Sequence, residues 1–330
     1  MENIINEYLE QAEVGHEQAY KNLAVFPLLS AYALDLDYLL LDEALAEGLI
    51  DVVEVDTQGS VPDLRVINKS PRMVLILDGE ELVGAKQNRI VNTTVLVPGN
   101  TTIIIPVSCV EQGRWHYDAP QFRSEKRVMA AAMRAKKAGK VSLSLREDLG
   151  FRADQGEIWD GIAEMAERRA AISPSMAMSE IYKKDKTPIQ EYAKHFTVID
   201  GQLGAVFMIN GKVVGLDTFG KAESFSKIFE KLVGSYALDA LDWFDPKKEH
   251  KPLRSGITEF IEAARSASAE KHKGVGAGTD YRLESEKITG FALVMDEKVL
   301  QMSVFARQDG EGRNQDTSRL ARFTQRRNLR

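Results

Sequence analysis

Short apolar runs, each closed by turn-forming residues, dominate positions 64–110 and constrain the fold more than any other part of the chain. The run 73–77 is uninterrupted, apolar and only long enough for a buried strand. The runs 90–97 and 101–110 are rich in β-branched residues, and the Pro-Gly-Asn segment 98–100 between them predicts a hairpin. This stretch therefore predicts short antiparallel strands of the kind found in sandwiches and barrels.

The middle of the chain has a different character. Positions 121–140 are basic and predict a helix, and positions 155–171 carry apolar residues at helical spacing. A segment rich in Ser, Pro, Met and Lys follows up to position 187, which is typical of a loop. We interpret 120–194 as a helical insertion.

Sheet structure is predicted again after position 195. Asn210-Gly211 lies between two apolar runs, and both residues accept a positive φ, so a type I′ hairpin is expected there. Positions 224–241 and 256–267 predict amphipathic helices. Three further strands are predicted, at 279–283, 288–295 and 299–305.

These patterns together predict an α+β fold. Its core is an antiparallel β-sandwich or a barrel-like sheet, with a central helical insertion and C-terminal helices. The strand-rich half spans 1–119, the insertion spans 120–194, and 195–330 completes the same domain. A content of 44% hydrophobic and 28% charged residues is ordinary for a globular protein of 330 residues.

Composition narrows the classes of function. The single cysteine, Cys109, excludes an internal disulfide framework and a cysteine-based zinc cluster, and it fits a reducing compartment. The N-terminus lacks the basic and apolar regions of a signal peptide. No uncharged apolar run approaches the roughly 20 residues of a membrane helix. We therefore expect a cytoplasmic protein without a membrane partner.

The formal net charge of −6 argues against a protein that coats nucleic acid. The C-terminal segment 313–330 is nevertheless basic, with Arg313, Arg319, Arg322, Arg326, Arg327 and Arg330. Such a tail can contact nucleic acid or an acidic partner. The commoner explanation is a solvated terminus, and it is the one we prefer.

The run 78–89 places charged and amide side chains between two predicted buried strands. Arg89 offers a planar fork for a phosphate or a carboxylate. Gln87 and Asn88 can bind the polar edges of a base or sugar. Glu80 or Glu81 can act as a general acid or base where burial raises its pKa. The alternative is a polar loop that forms only an internal ion pair.

A second polar segment, 109–116, follows the last strand of this region. Arg114 can bind an anion, Trp115 can stack on a ring, and His116 is the best candidate for proton transfer. Glu111 is a further candidate for acid–base work. The alternative is a structural aromatic cap, and a lone strand cysteine such as Cys109 is usually a small buried hydrophobe.

Metal binding has only weak support in the sequence. Glu80, Glu111, His116 and Asp118 are suitable ligand types for a divalent ion, but their spacing follows no metal-binding pattern. We predict no metal site, and the sequence does not define a cofactor.

Several segments resemble the ARG and rhodanese-phosphatase-superfamily-associated protein family. They are 68–71 (NKSP), 77–89 (LDGEELVGAKQNR), 103–107 (IIIPV) and 109–115 (CVEQGRW), and the similarity covers most of the chain. The family is named for its genomic company, ADP-ribosylglycohydrolases and rhodanese-like phosphatases. The resemblance therefore implies ADP-ribose, NAD or RNA-end metabolism in stress or conflict responses, without catalytic residues to transfer.

The resulting hypothesis is that the protein binds or processes a phosphorylated, nucleotide-like ligand. Its candidate ligand-binding residues are Gln87, Asn88, Arg89, Arg114 and Trp115, and its candidate catalytic residues are Glu80, Glu111 and His116. The hypothesis requires the two polar segments to meet at one end of a sheet. The alternative is a non-catalytic module that binds another protein.

Overall fold

The computed structural model describes residues 3–56, 59–116, 119, 121–247 and 254–307. The basic segment 313–330 and Asp118 lie outside the described residues.

The strands of the described residues, in chain order, are β1 (Glu13–Val14), β2 (Gln18–Tyr20), β3 (Leu23–Leu29), β4 (Tyr38–Leu40), β5 (Ile50–Glu54), β6 (Asp63–Asn68), β7 (Met73–Ile76), β8 (Glu80–Gly84), β9 (Arg89–Val91), β10 (Val95–Val97), β11 (Thr101–Cys109), β12 (Phe122–Val128), β13 (Gln202–Ile209), β14 (Lys212–Phe219), β15 (Ser268–Lys273), β16 (Thr279–Glu284), β17 (Ile288–Met295) and β18 (Lys298–Ala306). The helices are α1 (Asn3–Glu10), α2 (Leu41–Ala46), α3 (Ala131–Arg146), α4 (Gln155–Arg168), α5 (Met178–Lys184), α6 (Lys186–Ala193), α7 (Ala222–Asp242) and α8 (Arg254–Arg265).

A nine-stranded antiparallel sheet forms the larger part of the core, in the order β1-β3-β13-β14-β18-β17-β16-β15, with β2 also paired to β3. Helices cover both of its faces. On one face, α7 buries Phe225, Leu232 and Tyr236, whose helical spacing places them together against the sheet. On the other face, α1 and α8 pack with residues such as Leu9 and Phe260. The predicted α+β class is confirmed.

The second large sheet has six strands in the order β12-β8-β9-β11-β6-β5. Its edge strand β12 also contacts β5 at the opposite edge, so the sheet curls into a half-barrel. The interior is filled by apolar side chains such as Leu64, Val66, Leu82 and Val107. A three-stranded sheet, β10-β7-β4, packs on the same apolar cluster. The half-barrel carries both polar segments identified in the sequence.

The predicted strand 90–97 was wrong as a single element. It divides into β9 and β10, which belong to different sheets, so the predicted hairpin through Pro98 is also wrong. The break occurs where Thr93 donates to Asp280 at 2.9 Å and Thr94 to Gln301 at 2.8 Å. These side-chain hydrogen bonds tie the chain to the nine-stranded sheet instead of continuing one ladder.

The predicted basic helix over 121–140 was wrong in its first half, because residues Phe122–Val128 form strand β12. Phe122 and Val128 are buried, while the charged residues between them are exposed or half-buried. This edge strand pairs with β8, and Arg123 and Lys126 lie toward solvent, as is common for sheet edges, whereas Arg127 is half-buried and pairs with Glu81. The helix α3 begins only at Ala131.

The predicted loop up to position 187 was wrong in part, because Met178–Lys184 form α5 and α6 begins at Lys186. The Asn210-Gly211 hairpin and the C-terminal strands are confirmed. Asn210 and Gly211 join β13 and β14 with φ values of 53° and 76°. The three C-terminal strands are β16, β17 and β18, although the charged edge strand β15 was not expected. No helix in the described ranges is long and apolar enough to cross a membrane.

A buried ionic network joins α3 to the sheets. Arg134 forms two hydrogen bonds with the carboxylate of Asp217, at 2.7 and 3.1 Å, and both side chains are buried. Tyr236 also donates to Asp217, at 2.9 Å. The neighbouring Lys137 pairs with Asp78 and donates to two backbone carbonyls at 3.1 Å. The pairing compensates charges that would otherwise be costly to bury.

We expect Asp217→Asn to lower the free energy of unfolding by about 3–5 kcal/mol, because it leaves two buried cations, Arg134 and Lys137, with Asp78 as their shared carboxylate. Denaturant unfolding measures this difference. Glu270→Gln is the matched control, since Glu270 pairs with Arg146 at the surface, and it should cost at most about 1 kcal/mol. Equal losses in the two variants would contradict a structural role for the buried network.

Candidate functional site

The two polar segments meet at one end of the half-barrel. Strands β9 and β11 are antiparallel neighbours, and Cys109 lies directly opposite Arg89. The run 79–89 is less of a loop than its polarity indicated, because Glu80–Gly84 form strand β8. The loop proper is 85–88, between β8 and β9, and the segment after β11 folds over it.

Arg114 joins the two segments. Its guanidinium donates to the carboxylate of Glu111 at 2.7 and 3.0 Å and to the side-chain oxygen of Asn88 at 3.0 Å. It also donates to the backbone carbonyls of Ala85 at 2.7 Å and His116 at 3.1 Å. Ala85 has a φ of 40°, in the left-handed region that costs a side-chain-bearing residue free energy. Arg114 therefore holds an unfavourable turn in place.

Gln87 forms the second connection. Its amide nitrogen donates to the backbone carbonyl of Glu111 at 2.8 Å. Its side-chain oxygen accepts from a terminal nitrogen of Arg89 (Nη1) at 3.1 Å and from the Cys109 thiol at 3.1 Å. The side chains of Arg89 and Cys109 therefore converge on one amide oxygen.

Arg89 is completely buried, with 0% of its surface exposed. It forms no ion pair with any carboxylate of the described residues, and its Nε and Nη2 atoms have no hydrogen-bond acceptor there. Burial lowers the pKa of its guanidinium. A buried cation with two unsatisfied donors is costly, and native proteins seldom keep one without a reason.

An aromatic ring lies beside this arginine. Trp115 is 45% exposed, and the Arg89 guanidinium carbon is 5.7 Å from the centre of its ring. The ammonium of Lys86 is 5.4 Å from the same centre. Both distances fit cation–π contact. The site thus combines two cations and a partly exposed indole.

A carboxylate from β5 lies beside Lys86 in this site. Glu54 is buried, and its Oε1 accepts from the backbone nitrogen of Lys86 at 3.2 Å. Its other oxygen, Oε2, has no hydrogen-bond donor within the described part of the chain. Its charge acts on Arg89 electrostatically.

Glu80 does not lie beside Arg89 and Trp115 in the structure. Glu80 forms an ion pair with Lys231 of α7, which also pairs with Asp42 at 2.7 Å. Burial raises the pKa of the Glu80 carboxyl. Its neighbours are thus different from those of Arg89, which lies opposite Leu82, two positions further along β8.

Glu111 and His116 belong to the segment over the loop. Burial acts to raise the pKa of Glu111, but hydrogen bonds from Arg114 and Ser175 outweigh it and leave the pKa below its usual value. His116 is exposed, and its backbone carbonyl accepts from Arg114. Burial raises the pKa of the Cys109 thiol, which makes it a poor nucleophile.

Metal-binding geometry is not found in the described ranges, where no group of three or more His, Cys, Asp and Glu residues could hold an ion.

Sequence reasoning named Gln87, Asn88, Arg89, Glu111, Arg114 and Trp115, which the structure brings together, but it missed Glu54 and gave no role to Lys86. The signal for Glu54 was the alternation of β5. Ile50 and Val52 are buried on one face, and Glu54 continues that face. A carboxylate on an otherwise apolar strand face needs a partner, and this is a reason to examine it.

Fold and site together define an α+β protein with a half-barrel, which carries an arginine beside a tryptophan and without an ion pair in the described part of the chain. The model of the ARG and Rhodanese-Phosphatase-superfamily-associated Protein domain matches residues 11–305. The chain belongs to this family, as the sequence resemblance indicated. No curated protein and no solved structure matches the chain.

We expect Arg114→Lys to loosen the 84–88 loop, because an ammonium has only three donors and lacks the planar fork. Amide hydrogen exchange at 84–88 should accelerate about tenfold, as for the loss of about 1.4 kcal/mol of hydrogen bonding. Arg123→Lys on the exposed side of β12 is the control and should leave this exchange unchanged. Unchanged exchange in Arg114→Lys would show that the clamp is dispensable.

We expect the stability of the folded protein to depend on pH through the carboxyl group of Glu81. It is fully buried, and burial raises its pKa to about 7, with only partial compensation from Arg127 at 3.5 Å. The pKa of Glu81 is near 4.5 in the unfolded state and about 7 in the folded state. Between these two pH values the folded state binds the proton of Glu81 more tightly than the unfolded state does. Stability therefore falls as pH rises through this window.

The expected loss from Glu81 is about 3 kcal/mol of unfolding free energy between pH 4.5 and 7.5, at 1.36 kcal/mol per pKa unit. Asp239, whose pKa burial also raises to about 7, contributes in the same direction. In Glu81→Gln, urea unfolding across this range should show a flatter pH profile. A profile as steep as that of the unsubstituted protein would rule out titration of Glu81.

Proposed function

We propose that the protein binds a small phosphorylated, nucleotide-like ligand whose anionic group is held by Arg89. The observation that carries the proposal is the pair of unsatisfied donors, Nε and Nη2, on a fully buried guanidinium. Each unsatisfied donor on a charged group costs folding free energy. An anionic ligand would repay that cost by accepting from both.

The geometry of the donors favours an oxyanion. Nε and Nη2 lie along one edge of the planar guanidinium, so their hydrogens point in parallel. Two oxygens of one phosphate or carboxylate match this edge in a bidentate pair. Lys86, beside the same tryptophan, adds positive charge, and phosphate carries more negative charge to use it.

Trp115 supports a ligand with a flat ring. Its indole is large, partly exposed and held next to the anion-binding group. Stacking between a nucleobase and an aromatic side chain contributes about 1–3 kcal/mol. A phosphate and a base on one small molecule would use Arg89 and Trp115 together, as ADP-ribose, NAD and RNA ends all could.

The other predicted site residues receive different roles in this proposal. The polar groups of Gln87 are bonded to Arg89 and Glu111, and Arg114 is bonded to Asn88, so these residues position Arg89 rather than contact the ligand. Glu111 serves the same purpose through Arg114. Glu80 lies with Lys231 and takes no part. Binding therefore accounts for the site without a catalytic step.

We expect isothermal titration calorimetry with AMP, ADP-ribose and NAD to detect binding of at least one of them. Arg89→Met keeps the side-chain length and removes the donors. It should weaken that binding at least about 100-fold, because two hydrogen bonds from a charged donor are lost. The fold should be retained, since the substitution also removes an uncompensated buried charge. Arg123→Met, at an exposed position of β12, is the matched control.

Two results would contradict the proposal. One is Arg89→Met binding the nucleotide as tightly as the unsubstituted protein. The other is no binding of any phosphorylated compound together with recovery of a stoichiometric protein partner. The second result would favour the alternative, a non-catalytic interaction module.

A further inference from the structure

Glu54 has an unsatisfied acceptor, and its charge acts on Arg89, which has unsatisfied donors, within the described part of the chain. Only 6% of the residue is exposed, and its Oε1 is used by the backbone nitrogen of Lys86. Its Oε2 has no donor in the described part of the chain. The remaining acceptor of a buried carboxylate is costly to leave unpaired, as are the donors of a buried guanidinium.

The two charged groups interact without touching. The Glu54 charge acts on Arg89, yet the two form no ion pair within the 4.0 Å limit for the described residues. Glu54 Oε2 and the Lys86 ammonium both lie 3.4 Å from the point where a Cβ of Gly59 would stand. The carboxylate is thus on the Lys86 side of the site, next to the cations that surround Trp115.

We infer that Glu54 is a second ligand-binding group of this site and accepts a hydrogen bond from a hydroxyl group of the ligand. This inference rests on the proposed function. A ligand that binds both residues accepts hydrogen bonds from Arg89 and donates one to Glu54. A phosphorylated sugar has this chemistry, so the ribose of a nucleotide, with its 2′ and 3′ hydroxyls, is the group assigned to Glu54.

A neutral donor fits Glu54 better than a cation. Arg89 and Lys86 already supply two positive charges near the carboxylate, and a third would be repelled. A purely structural role for Glu54 requires only Oε1, which holds the backbone of Lys86 at the start of the loop. A purely structural role therefore leaves Oε2 of Glu54 without a function.

The test compares AMP with 2′,3′-dideoxy-AMP by calorimetry, in the unsubstituted protein and in Glu54→Gln. The unsubstituted protein should bind AMP at least about tenfold more tightly, because the dideoxy compound leaves a charged acceptor unpaired. Glu54→Gln keeps an oxygen for the Lys86 nitrogen. It should weaken AMP binding about tenfold and leave dideoxy-AMP binding unchanged. Glu262→Gln, on the exposed side of α8, is the control.

The outcomes separate this inference from the proposed function. If the unsubstituted protein binds both compounds equally, the role of Glu54 is overturned, whereas loss of binding in Arg89→Met would still support the anion site. This comparison needs no variant, so it remains decisive if Glu54→Gln does not fold. If none of AMP, dideoxy-AMP, ribose 5-phosphate, ADP-ribose and NAD binds, the inference and the proposed function both fail.

Discussion

The guanidinium of Arg114 is the interaction on which the rest of the site depends. It pairs with Glu111, one of the two acids whose charge acts on Arg89. It also fixes the loop 85–88 by binding the carbonyls of that loop and of its strand. Since Glu54 gives one oxygen to the backbone of Lys86, Arg89 has no carboxylate partner among the described residues. The charge of Arg89 is the one that we propose a ligand binds.

The fold could be predicted where its signals are local. The Asn210-Gly211 hairpin and the apolar face of α7 follow from turn chemistry and helical spacing. The division of 90–97 could not be predicted, because the groups that bind Thr93 lie 187 and 189 positions away. The same applies to β12, which is charged and becomes a strand only because it can pair with β8.

The site could be located from the sequence more readily than it could be interpreted. Polar residues concentrated between apolar strands indicated two segments, and the structure brings these two segments together. Their roles depend on which side chains satisfy one another, and Asn88 and Arg114 do so across 26 positions. Glu54 reaches the loop from 32 positions away. Neither relation has a pattern in a single sequence.

The most direct test of the central claim is a crystal structure of the protein grown with AMP. We predict phosphate oxygens about 2.7–2.9 Å from Nε and Nη2 of Arg89, with the adenine ring stacked on Trp115. A nucleotide bound elsewhere, with only water at the Arg89 donors, would contradict it.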